Sequence, residues 1–300
     1  MRPASALVSL HAAVALFGVA GLFGEWLAMS PVSIVLGRTA VAALALAALG
    51  RATGHRSPPD RAMALNGAIL ALHWVAFFAA IQAAGVAVGL LGYASFPLWT
   101  LILERATRQR AGGRGDWAVA ALVVAGLALT VPRSEWGDAG VQGLAWGILS
   151  GATFAWLAVR NRRYAATRSA RSIGLWQNAW AAAWLVPVVA LWPGAAAWPS
   201  PDEVVLVVVL GVACTALAHT LFVASLASVS AHTASVVAAL EPVYGIALAA
   251  WLLAERPTAA MLAGCALLVA AAIVASRAAA VTVSGPPPGR MADRPREPFR

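Results

Sequence analysis

Apolar residues run through this chain in long blocks, and polar residues collect between them. Windows of about 20 apolar residues, the length that crosses a bilayer as a helix, fall at about 5–27, 31–50, 63–83, 86–105, 116–132, 141–160, 172–192, 203–224, 230–253 and 258–277. A membrane β-barrel needs short segments that alternate apolar and polar residues, whereas runs such as AVAALVVAGLAL, Ala118 to Leu129, are continuous. The pattern predicts an all-α integral membrane protein with ten transmembrane helices.

The blocks repeat. An offset of 145 residues lays Pro97 on Pro242 and, without a gap, His73 to Leu129 along Ala218 to Val274. At the far end of that alignment LVVAGLAL, Leu122 to Leu129, meets LLVAAAIV, Leu267 to Val274. Looser matches extend it: GRTAVAA from Gly37 meets WQNAWAA from Trp176, and FGVAGLF from Phe17 meets SGATFAW from Ser150. The chain therefore reads as a tandem repeat, residues 5–132 and 141–277. Five spans per half is an odd number, so the halves enter the membrane from opposite sides as an inverted repeat. The tail, 278–300, turns rich in Pro and Arg and is expected to be disordered.

Composition closes off the soluble alternative. Hydrophobic residues make up 61% of the 300 and charged residues 11%, too few to cover a globular surface. The net charge of +9 could suggest nucleic acid, but all 21 basic residues are Arg and they gather in the loops. Nucleic acid is not an expected partner. Arg51, Arg56 and Arg61, then Arg105, Arg108, Arg110 and Arg114, then Arg160, Arg162, Arg163, Arg168 and Arg171 all fall in loops on the N-terminal side, while Arg133 and Arg256 lie opposite among acidic residues. Arginine excess marks the cytoplasmic side, which puts both termini in the cytoplasm and the protein in the inner (plasma) membrane. Arg110, in an inner loop, aligns with Glu255 in an outer one, so charge follows the side of the membrane. Cys214 and Cys265 lie within apolar blocks and do not suggest a disulfide.

Small residues at helical spacing mark close helix contacts: Gly18, Gly21 and Gly24; Gly85 and Gly89; Gly143, Gly147 and Gly151. The stripe Trp176, Trp180, Trp184 reads as a packing or lipid-facing surface.

Candidate chemistry is confined to the few ionisable groups inside the spans, because a charge at membrane depth is costly and usually functional. Glu241 leads, about midway along the block 230–253, in ALEPVYGIALAAWLLAERPT and beside Pro242, which removes a helical hydrogen bond there. Irregular backbone at that depth is tolerated against protein or a cavity. Its repeat mate is Phe96, so any charge role belongs to one half. Candidate substrate-binding or coupling residues are Glu241, Pro242, Tyr244, Pro97, Tyr93, His73, Trp74 and His219. Arg38 and Glu25 are expected to form a structural ion pair, and Glu104 to be a gate or a solvated helix end. His11 and His232 are weaker candidates. No GxSxG, HExxH, CxxC or GxxxxGK[ST] pattern occurs, so neither an enzyme, a metal nor a cofactor is expected.

The segment ALEPVYGIALAAWLLAERPTAAMLAGCALLVAAAI, with GLFGEWLAMSPVSIVLGRTAVAALAL and LHWVAFFAAIQAAGVAVGLLGYASFPLW in the first half, resembles the EamA-type transporters of the drug/metabolite transporter superfamily. The resemblance spans roughly residues 9 to 276. It implies two five-helix EamA repeats, a central cavity and export of a small metabolite, such as an amino acid or related compound, by alternating access. Two departures, Arg110 and Phe96 where the family often has acidic residues, leave the solute's charge open. Expected partners are a small solute, the lipid bilayer and, as candidate coupling ions, protons, with the chain a monomer or homodimer. The rival readings are a membrane-embedded enzyme acting on lipid-linked substrates and a non-transporting scaffold.

Overall fold

A computed structural model describes residues 3–55, 57–109, 112–130, 137–192, 199–252 and 256–284. Arg110, Arg133, Trp136, Trp198, Glu255 and the tail from residue 285 lie outside them. All regular structure among the described residues is helical. In chain order the helices are α1 (Pro3–Trp26), α2 (Pro31–Ala52), α3 (Ala64–Tyr93), α4 (Phe96–Ala106), α5 (Arg114–Thr130), α6 (Asp138–Tyr164), α7 (Ala170–Leu191), α8 (Pro201–Gly211), α9 (Ala218–Ser225), α10 (Ala231–Ala238), α11 (Glu241–Leu252) and α12 (Ala259–Ser284). A π-turn, Val212–Leu217, joins α8 to α9 without a break. The expected tail boundary at 278 falls inside α12, whose apolar run carries the helix on to Ser284.

Among the described residues, eight helical stretches are long and apolar enough to cross a membrane. One of them, Arg61–Ala106, is 46 residues long, about twice what a single crossing needs. It is interrupted at Ala84 and Gly85, where Gly85 has a φ of 77°, a conformation that glycine adopts without a Cβ penalty. That interruption falls where the apolar pattern separates its third block from its fourth. α5, at 17 residues, is just short of the others.

Proline sets two further breaks. Its ring clashes with the carbonyl four residues back, and α3 ends at Tyr93, four before Pro97, as α10 ends at Ala238, four before Pro242. A two-residue turn follows each, Ala94–Ser95 and Ala239–Leu240, and the chain restarts as a helix in whose first turn proline is tolerated.

Small residues then let the helices close. A Cβ on Gly147 of α6 would stand 2.6 Å from the Gly89 carbonyl oxygen and 2.9 Å from the Gly92 Cα, so α3 and α6 meet backbone to backbone. The main packing partners are α3 with α6 and α7, α4 with α6 and α10, α2 with α7 and α8, α1 with α9 and α11, and α5 with α12. The Trp stripe of α7 is a packing surface in part: Trp180 and Trp184 donate to the Asp60 and Ala64 carbonyls at 3.0 and 3.1 Å.

The arginine-bearing loops form one end of the bundle. Arg171 donates to Thr53, Arg168 to Asp60 and Arg163 to the Thr107 carbonyl, at 2.9, 2.6 and 3.0 Å. At the other end Glu203 accepts from the Ala28 amide and Gln82 donates to the Met29 carbonyl, at 3.1 and 3.0 Å.

Candidate functional site

A small cavity lies between residues of both sequence halves. Phe17, Ala20, Arg38, His73, Trp74, Phe77 and Tyr93 line it from α1, α2 and α3; Phe154 and Glu241 line it from α6 and α11. Its volume is about 20 Å³, room for about one water. The walls therefore touch across most of the site.

Glu241 is placed by the break before it. It opens α11, where a carboxylate meets the positive end of the helix dipole, and it is 3% exposed. Gly18 makes room, since a Cβ there would stand 2.9 Å from the Glu241 carbonyl oxygen. The Tyr93 hydroxyl, at the end of α3, is within hydrogen-bonding reach of the Glu241 carboxyl. Both proline breaks thus deliver a polar group to the same place.

Arg38 is buried at 1% exposure, yet its hydrogen bonds among the described residues go to a hydroxyl and a carbonyl. Its Nε donates to Thr215 Oγ1 at 2.9 Å and its Nη2 to the Cys214 carbonyl at 3.2 Å. Both acceptors sit in the π-turn, a local widening of a helix that often marks functional sites. The guanidinium lies 4.1 Å from the Trp74 ring centroid and 5.4 Å from that of Phe78, a desolvated cation–π arrangement. The expected Arg38–Glu25 pair is not formed: the π-turn holds Arg38 inward, while Glu25 is exposed at the end of α1.

His73 is fixed by α6. Its Nδ1 is 3.0 Å from the Ser150 carbonyl oxygen and 2.9 Å from the Ser150 hydroxyl. The ring stacks on Phe154 at 4.6 Å. His219 stands behind Trp74, at 5.9 Å between rings, and its Nε2 meets Gln177 Oε1 at 3.0 Å. From there a buried chain of amides continues from Gln177 to Asn161, Asn161 to Asn66, and Asn66 to Arg160. It links the back of the cavity to the arginine-rich end.

A second cavity, about 410 Å³, shares Glu241 with the first. Leu22, Val86, Leu90, Ile246 and Met261 give it apolar walls, and Glu25, Trp26 and Arg256 lie toward the end away from the N-terminus. Pro242 lines this vestibule, so Glu241 borders both spaces.

The other expected site residues lie elsewhere. Tyr244 is outside both cavities, where its hydroxyl meets His11 Nδ1 at 2.9 Å. Pro97 is buried in the first turn of α4 and lines neither. Glu104, expected to be solvated, is 1% exposed: it accepts from the Ala231 amide at 3.1 Å, capping α10, and pairs with Arg162 at 3.5 Å. A free amide at a helix start attracts a carboxylate more strongly than the interface does. His232 lies 3.7 Å from Asp116.

Residues 141–277 match the EamA-like transporter family. That match places the second half of the chain in the EamA group of the drug/metabolite transporter superfamily. Family membership makes the general class of activity that of a membrane transporter. A solved crystal structure of a protein is similar in fold, with a TM-score of 0.73 at 22% identity, covering 92% of this chain and 99% of that one. No curated protein matches the sequence.

Proposed function

We propose that this EamA-family chain moves a small solute by alternating access, and that the central cavity is where the solute binds. The observation that carries this reading is Arg38 and Glu241 lining one buried cavity. Opposite charges on an aromatic wall suit a small polar metabolite such as an amino acid, whose body packs on Phe17, Trp74 and Phe154. At about 20 Å³ the cavity is closed on itself, so the walls part to admit a solute. The larger vestibule at Glu241 gives the direction in which they part first, toward the end away from the termini.

Ten spans in two inverted halves are the framework for this motion. Counting the interrupted Arg61–Ala106 stretch as two crossings and α5 as one brings the total to ten. Exchange of the halves is compatible with the packing: α3 on α6 answers α1 on α9 and α10, α3 on α7 answers α2 on α8, and α4 on α6 answers α1 on α11, while the α2–α7 and α5–α12 pairs map onto themselves. With both termini cytoplasmic in the inner membrane, export is the favoured direction. Protons couple the movement through Glu241, a carboxyl that one side loads and the other unloads.

Counterflow in proteoliposomes tests this reading. Vesicles loaded with unlabelled amino acids and diluted into the same radiolabelled amino acids are expected to accumulate label transiently. Absence of counterflow together with turnover of a lipid-linked substrate contradicts transport and supports an enzyme.

A further inference from the structure

We infer that the cleft between α2 and α7, at the arginine-rich end of the bundle, is a binding site for one anionic phospholipid. It has a volume of about 410 Å³ and is separate from the solute cavity, with which it shares no lining residue. Leu44, Leu46, Ala47, Leu175 and Trp176 form an apolar trough, and Arg51, His55 and Arg171 close one end of it. A cationic head above an apolar trough, between two membrane helices, matches a phosphate headgroup above its acyl chain.

Three observations favour an anion at this mouth. No carboxylate lines the cleft, and nearby Asp60 is engaged by Arg168 at 2.6 Å. Arg171 lies in the first turn of α7, where the helix dipole disfavours a cation and attracts an anion. Its Nη1 donates to Thr53 Oγ1 at 2.9 Å, which ties it to the residue capping α2 and holds it beside Arg51 and His55. The trough makes a lipid the occupant, because a free phosphate would leave Leu44, at 71% exposure, uncovered. The inference rests on the chain crossing a membrane and is independent of what it transports.

Native mass spectrometry of the detergent-solubilised full chain tests it. Offered equal amounts of dioleoyl phosphatidylglycerol and dioleoyl phosphatidylcholine, the wild type retains one phosphatidylglycerol in preference. The double substitution Arg51→Gln, Arg171→Gln lowers that retention by roughly tenfold, while Arg105→Gln, Arg108→Gln leaves it unchanged. Equal retention of both lipids by the wild type overturns the site without reference to any variant. So does displacement by glycerol 1-phosphate, which would assign the mouth to a soluble phosphate. A loss of dimers in the double variant with unaltered lipid retention would give the cleft to a second copy of the chain, and also overturns it.

Discussion

Pro97 and Pro242 are each the second residue of a helix that restarts after a two-residue turn, and each preceding helix ends four residues before its proline. The two breaks lie 145 residues apart, the offset of the sequence repeat. The same ring–carbonyl clash therefore operates twice. Their products differ, because the residue before proline is Phe96 in one half and Glu241 in the other. Shared backbone and unequal chemistry give one cavity a charge from each half.

If these breaks are symmetry mates, both prolines lie at the same depth. A structure determined in a lipid nanodisc is expected to place Pro97 and Pro242 equally far from the bilayer midplane. Finding one at the midplane and the other at an interface refutes the inverted pairing.

The α3–α6 seam has no room for a side chain at Gly147. Gly147→Ala forces the added methyl against the Gly89 carbonyl and is expected to cost about 1–3 kcal/mol, read as a lower melting temperature in detergent. Gly115→Ala, where a Cβ meets nothing within 4 Å, is the control and gains up to about 1 kcal/mol. Equal melting temperatures for both variants contradict the packing.

Much of this was legible before any coordinates. Long apolar blocks, the repeat and the arginine loops follow from local composition, and Glu241 is conspicuous as a carboxyl inside an apolar run. Arg38 was legible as a buried charge but not by its partner, since the π-turn that offers Thr215 and the Cys214 carbonyl leaves no trace in hydropathy. Glu104 was misplaced because its partner, the Ala231 amide, is 127 residues away in the chain. Asn66, Asn161 and Gln177 carry no charge, so their amides, in or beside apolar runs, stand out less in the sequence than the ionisable groups do. Phe17 and Phe154 look like ordinary core aromatics until the fold stacks Phe154 on His73 and sets Phe17 edge-on to Phe154.

Orientation is open to direct chemistry. With Cys214 and Cys265 replaced by Ala, Asp202→Cys is expected to react in whole cells with an impermeant thiol reagent, and Thr167→Cys only after lysis. The opposite labelling overturns the cytoplasmic placement of the arginine loops.

Arg38 is held by geometry as much as by charge. Arg38→Gln removes a cation–π contact worth about 2 kcal/mol when desolvated and is expected to lower counterflow by roughly tenfold or more. Arg38→Lys keeps the charge but cannot reach Thr215, Cys214 and Trp74 with one planar group, so it does not restore the rate. Wild-type counterflow in the Lys variant would show that charge alone suffices.

The central claim is that Glu241, at the junction of the cavity and the vestibule, couples solute movement to protons. Glu241→Gln preserves shape and hydrogen bonding while removing the titrating group. In proteoliposomes the variant is expected to retain exchange of radiolabelled amino acids at equal concentrations, and to lose the accumulation that an imposed pH gradient drives in the wild type. Accumulation by Glu241→Gln at the wild-type rate would contradict the account, leaving the carboxyl a structural group.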